Sequence, residues 1–231
     1  MLREHGPLAS GDAYFGEAWP VVEETMGRVK SNLETIISRL REDNYRFEQT
    51  YEEDSEEFPE LNPMPGVIDP EKTISTYEGI IGPLPLAMKG WMKMVGDVTL
   101  LGNHPGWEKE NMCTDALSIE FEEENWLEIG TENTEDWKHW VDKEGLEETG
   151  DMILEFSLCL HHKVNISGAG TYGMGINGAY IDPKVYVGDE MYFTDYLRHC
   201  FEWGGFPGFS CYEKGNDSGV ISKLKKDLLP I

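Results

Sequence analysis

The spacing of apolar residues predicts five helices. Val22, Met26, Val29, Leu33, Ile36 and Leu40 recur in steps of four and three, which lays one continuous apolar stripe along a helix. Trp19 and Pro20 are expected to open it, since a proline is tolerated in a first helical turn. Asn44 suits its exit, because asparagine accepts a left-handed backbone. The stripe is expected to pack onto a sheet, the run being short for a two-helix coiled coil. Asp69 and Pro70 predict a second helix, capped by Asp69, buried through Ile74, Tyr77 and Ile81, and ended by Gly82. The stretch 79–107, GIIGPLPLAMKGWMKMVGDVTLLGNHPGW, is the best-punctuated part of the chain. Pro83 and Pro85 each disfavour helix in the residue before them, so a third helix starts at Pro85. Leu84, Met88, Trp91, Met92 and Val95 give it one apolar face, and Gly96 ends it. Tyr192, Phe193, Tyr196, Leu197, Cys200 and Phe201 predict a fourth helix, with Gly204 and Gly205 as its exit. Val220, Ile221, Leu224 and Leu228 predict a fifth, capped by Asp217 or Ser218.

Between the helices the period shortens to two. Tyr45 and Phe47 alternate with polar neighbours, and Val98 to Leu100 reads as a short strand closed by Gly102, Pro105 and Gly106. Leu117, Ile119 and Phe121 alternate with Ser118 and Glu120 as a half-buried strand, with Trp126, Leu127 and Ile129 as a returning arm. Met152, Leu154, Phe156, Leu158 and Leu160 form the apolar face of a strong strand that carries Ile153, Glu155, Ser157 and Cys159 on its other side. The chain is expected to stay extended from Lys163 to Ser167. Residues 51–66 are acidic and broken by Pro59, Pro63 and Pro65, as in a surface connector. Residues 130–151 are polar and acidic, a short helical turn or a loop, and 206–219 form a loop. Helices at both ends of a central run of strands imply α+β. The expected architecture is a single domain over 1–231 with a central, mostly antiparallel sheet. A long N-terminal helix, within a helical extension over about 1–66, and further helices pack around it.

Composition adds size and sign. The 231 residues are 39% hydrophobic and 11% aromatic, enough for a substantial core. Asp and Glu number 44 against 19 Lys and Arg, a formal charge of -25. Such a field repels a phosphate backbone and an anionic lipid surface, and it speeds encounter with a basic protein. The same excess serves solubility alone. Cys113, Cys159, Cys200 and Cys211 show no CxxC pairing, and Cys159 and Cys200 lie in apolar runs, as small buried hydrophobes do. The first fifteen residues carry no signal-peptide pattern, and no apolar run approaches the roughly 20 residues of a membrane span. A soluble cytoplasmic protein with reduced thiols is expected.

The candidate chemistry is sparse. Gly168, Gly170 and Gly173 spell GxGxxG, yet Gly175 and Gly178 follow where a dinucleotide site needs a helix. A glycine-rich hairpin or bulge is expected, and no cofactor. His161 and His162 are adjacent in a predicted strand and point to opposite faces, so no metal site is expected there. Asp195 and His199 stand one helical turn apart and invite a Cys200 nucleophile, but Cys200 falls on the buried face, where a thiol is inert. Glu120, Glu122 and Glu124 share one face if the strand runs on. Stacked carboxylates beside Trp126, Trp137 and Trp140 would suit glycan hydrolysis, a solvated acidic edge, or a docking face. The candidate contact set for a basic protein is Trp107, Glu120, Glu122, Glu123, Glu124, Trp126 and Glu128.

Three stretches, GPLPLAMKGWMKMVGDVTLLGNHPGW, HHKVNISGAGTYGMGI and DYLRHCFEWGGFPGF, resemble an uncharacterised bacterial branch of the SMI1/KNR4-like, or SUKH, superfamily. The link rests mainly on the turn Gly82–Pro85, the short aromatic helix after it, and Val95–Gly96 before a strand. The long first helix and the glycine-rich region depart from the compact pattern. The resemblance implies an α+β fold, no enzymatic activity and no catalytic residues, and it implies kinship with immunity proteins that bind a toxin or with members of interaction networks. The expected function is a non-enzymatic protein-binding domain, such as an immunity protein that neutralises a basic toxin. The alternatives are a carboxylate-dependent hydrolase acting on a glycan, and an interaction module of a larger complex.

Overall fold

A computed structural model describes residues 13–48, 60–107, 114–120, 153–163, 171–176, 180–211 and 219–231. The chain runs α1 (Ala13–Glu42), β1 (Arg46–Phe47), α2 (Pro70–Ile81), α3 (Leu86–Met94), β2 (Val98–Thr99), β3 (Gly102–Asn103) and β4 (Ser118–Ile119). It continues with β5 (Ile153–Leu158), α4 (Leu160–Lys163), β6 (Thr171–Gly175), β7 (Lys184–Val187) and β8 (Asp189–Tyr192). It closes with α5 (Phe193–Glu202), a 3-10 turn (Pro207–Cys211) and α6 (Val220–Leu224). The fold is single-domain α+β, and every strand pair among the described residues is antiparallel.

The sheet is divided. β1 pairs with β3, β2 pairs with β4, and β5-β6-β7-β8 form a four-stranded meander. Gly102, expected to close a strand, lies within β3 opposite Phe47, where a Cβ would meet the Arg46 backbone. The β7–β8 hairpin turns on Gly188 at φ 99, in a stretch where the sequence pattern suggests a direct run into a helix.

The apolar stripe of α1 is buried from Val22 to Leu40. Its principal partners are helices α3 and α6 and not a sheet face. Gly90 makes the close approach to α3 possible: a Cβ there would sit on Val22 Cγ1 and lie 3.1 Å from Met26 Cγ. α1 is therefore a core element of the domain and not an appendage. It also starts earlier than expected, at Ala13, with Pro20 inside it. Further along, Asn32 exchanges two hydrogen bonds with Leu229, at 2.9 and 2.7 Å, and Arg39 donates to the carbonyls of Lys223, Leu224 and Lys226 at the end of α6.

The stretch 79–107, the hub of the core, is as its punctuation implies. Pro85 is the N-cap of α3, and Leu84, Met88, Trp91, Met92 and Val95 are buried. Gly96 at φ 77 lets the exit turn pass Gly66, whose Cα would lie 2.7 Å from an added Cβ. Asp69 caps α2 by accepting from Lys72 N at 3.1 Å. From Trp91 the core runs through edge-on aromatic contacts to Phe193, Phe156, Tyr196 and Tyr172. No helix among the described residues is long and apolar enough to cross a membrane.

Candidate functional site

β5 carries a bulge between Glu155 and Ser157. An extra residue resets the alternation, so Ser157 and Cys159 turn inward while Leu158 is only half-buried. The chain then coils into α4, so it does not stay extended at Lys163. That turn presents Lys163 to the interior, where 1% of its side chain is exposed. The residues ahead of β4 bring Asp115 to meet it, and Nζ donates to Asp115 Oδ1 at 2.8 Å. Tyr172, on β6, donates its hydroxyl to Asp115 Oδ2 at 3.0 Å and accepts from Leu160 N at 3.3 Å. The Lys163 ammonium lies 4.9 Å from the Tyr172 ring centroid.

This cluster joins three parts of the chain, and α5 closes it with Tyr196 and Cys200, both buried. Burial, and then the neighbouring Asp115 carboxylate, push the Tyr172 phenol far up. Burial likewise pushes the Cys200 thiol up, with the Asp115 charge adding to it. A thiol held protonated in an apolar site is a packing group. A buried ion pair with its remaining oxygen hydrogen-bonded is strong in geometry but starts from a large desolvation penalty. Its chemical capacity here is fastening: it ties the start of β4, α4 and β6 at one point.

The sequence-derived contact set is split by the structure. Glu120 is half-buried at the end of β4, and its Oε1 accepts from Ser118 Oγ at 3.2 Å. Ser118 itself is buried, so β4 is covered on both faces and not half-exposed as its alternation implied. Trp107 lies inside the core, 8% exposed, and not on a docking face. It packs edge-on against Phe206, Phe209 and Tyr45, with centroids 5.0, 5.1 and 5.7 Å away. Glu122, Glu123, Glu124, Trp126 and Glu128 lie outside the described residues, as do Trp137, Trp140, Gly168, Gly170 and Cys113. Gly173 sits within β6, which continues as strand.

The remaining candidates resolve locally. His161 is exposed on α4, a helical turn and not a strand. Among the described residues no group of three or more His, Cys, Asp and Glu converges as a metal site. Asp195 pairs with Arg198 at 2.7 Å and not with His199, which lies 3.9 Å from Glu202. Asp182, absent from every sequence motif, caps α5 from a distance. Its carboxylate accepts from Thr194 N at 3.1 Å and Thr194 Oγ1 at 2.5 Å. Lys163, Asp115 and Tyr172 were also missed, because their partners lie 48 and 57 residues apart in sequence. The one local signal was a lysine closing the apolar run of β5 and α4. Comparison with protein-family models, with curated proteins and with solved structures gives no match.

Proposed function

We propose that the chain is a protein-binding domain, in the manner of an SMI1/KNR4-like immunity protein, that captures a basic protein through its acidic surface. The observation that carries this reading is where the charge lies. Residues 120–151 hold thirteen acidic and two basic residues, and they follow β4 directly in the chain. The root of that stretch is fastened by Asp115, five residues upstream of Glu120, and by Lys163, beyond β5 at the end of α4 on the other side. A dense anionic segment on a fixed root raises the encounter rate with a cationic surface and sets its orientation.

The experiment is a pull-down of the products of neighbouring genes at low and high salt. A basic product retained at low salt, and released or weakened at high salt, supports capture. Glu122→Gln, Glu123→Gln and Glu124→Gln combined should lower the association rate on the order of tenfold at low salt while leaving the melting temperature unchanged. Retention of no product at either salt counts against the proposal.

A further inference from the structure

His104 stands in the hub at the end of β3, in a turn whose two ends it holds. Its carbonyl accepts from Trp107 N at 3.1 Å, and its Nδ1 accepts from Gly106 N at 2.9 Å. An Nδ1 that accepts carries no proton, so the neutral ring bears its hydrogen on Nε2. That Nε2 is buried and has no hydrogen-bond partner among the described residues. The ring leans on Trp107, centroids 4.9 Å apart at 31°, and Tyr45 completes the triangle, 6.5 Å from His104 and 5.7 Å from Trp107. The two edges of the ring differ. The Gly106 contact is at the surface, where a proton can arrive from water, while the opposite edge is sealed.

We propose that His104 is an acid-sensitive latch on the hub turn, closed when neutral and released when Nδ1 takes up a proton. Protonation places an N–H against the Gly106 N–H, donor facing donor, so that hydrogen bond is broken. The positive charge it creates is shared with an Nε2–H that finds no acceptor, and a buried unpaired charge is costly. The turn 104–107 then loses the contact that closes it, and Trp107 loses the anchor that seats it among Tyr45, Phe206 and Phe209. Among the described residues the charged groups facing the ring are Asp43 at the end of α1 and Lys223 on α6. They are paired with each other at 2.6 Å, so their fields oppose at His104. The phenol of Tyr45 is engaged with Leu100 O at 2.7 Å and stays neutral. Burial lowers the His104 pKa below its ordinary value; Asp43 pulls it part of the way back up, and Lys223 adds a smaller lowering.

The test follows the intact protein from pH 7.5 to pH 5 by nuclear magnetic resonance. The His104 ring signals should titrate with a midpoint below the ordinary histidine value of about 6.5. Over the same range, protection of the Gly106 amide, corrected for the intrinsic pH dependence of exchange, should fall on the order of fivefold to tenfold. In His104→Asn the side-chain oxygen takes the place of Nδ1 as acceptor and does not titrate, so Gly106 protection should stay flat with pH. In His104→Phe the ring is kept and the acceptor lost, so protection should be low throughout. A His104 midpoint at or above 6.5, or the same pH-dependent loss in His104→Asn, overturns the proposal.

Discussion

Lys163 is the residue on which the interior chemistry turns, and its replacement is the sharpest single-residue test. Lys163→Met leaves the Asp115 carboxylate, 12% exposed, facing an apolar wall. Removing one partner of a buried pair typically destabilises by about 3–5 kcal/mol. Adding Asp115→Asn should recover a large part of that loss, because the amide needs no counter-charge while Tyr172 can still donate to it. Urea unfolding of the single and double variants measures both, and a double variant no better than the single would mean the loss is packing and not charge. Asp182 gives a second test with a defined sign. Burial raises its carboxyl pKa despite the two Thr194 hydrogen bonds. A carboxyl whose folded pKa lies above its unfolded one binds protons more tightly when folded. Its contribution to stability is therefore complete below the unfolded value near 4 and is lost as pH rises through the higher folded value. In Asp182→Asn that falling slope should vanish while the cap on Thr194 N remains, which thermal melts at stepped pH will read. Neither residue announces itself in the sequence. A lone Lys and a lone Asp are ordinary surface residues until two distant segments enclose them.

At the level of elements, legibility followed the period of the pattern. Helices α1, α2, α3 and α5 were readable because the apolar spacing near 3.6 persists for two turns or more, and Asp69, Gly82 and Gly96 punctuate them as capping chemistry requires. Helix α6 was readable in place but is only five residues long, stops at Leu224 short of Leu228, and starts from Gly219 with no side-chain cap. Strands of two to four residues offer too few positions for a period-two pattern, so the pairing of β1 with β3 and the β7–β8 hairpin were not readable. The bulge in β5 defeated a pattern that was otherwise clear, since one extra residue reverses which side chains face inward. The start of α1 was misplaced because Pro20 looks like a first-turn residue, and only the packing of Ala18 and Trp19 shows the helix already under way. The α1–α3 crossing, which no single-helix pattern specifies, rests on Gly90. Gly90→Ala favours the helix by about 1 kcal/mol in isolation. The new methyl group overlaps Val22 and crowds Met26, and overpacking of that kind costs about 1–3 kcal/mol. The net effect should be destabilising, and restored in part by Val22→Ala in the same chain. A Gly90→Ala variant that melts higher than the parent would show that the two helices separate freely.

For the molecule as a whole the governing quantity is its formal charge of -25. Like charges repel across the folded body, and salt screens exposed charges beyond a Debye length of about 10 Å at 0.1 M. Salt also weakens the exposed pairs Lys223–Asp43, Lys184–Glu190 and Arg198–Asp195. Such pairs are worth about 0–1 kcal/mol each, so self-repulsion outweighs them. Raising sodium chloride from about 0.05 M to about 0.5 M should stabilise the protein by roughly 1–2 kcal/mol, on the order of 3–6 °C in melting temperature. The Asp115–Lys163 pair is enclosed and is screened far less than the surface. The deficit of Lys163→Met should therefore be nearly the same at both salt concentrations, although both proteins melt higher in the second. This separates the two roles of charge in the fold: an exterior excess that opposes compaction and depends on salt, and the enclosed Asp115–Lys163 pair, which fastens the chain and does not. A melting temperature that falls with salt would mean that attractive surface pairs outweigh the excess. A Lys163→Met deficit that shrinks with salt would mean that water and ions reach the cluster.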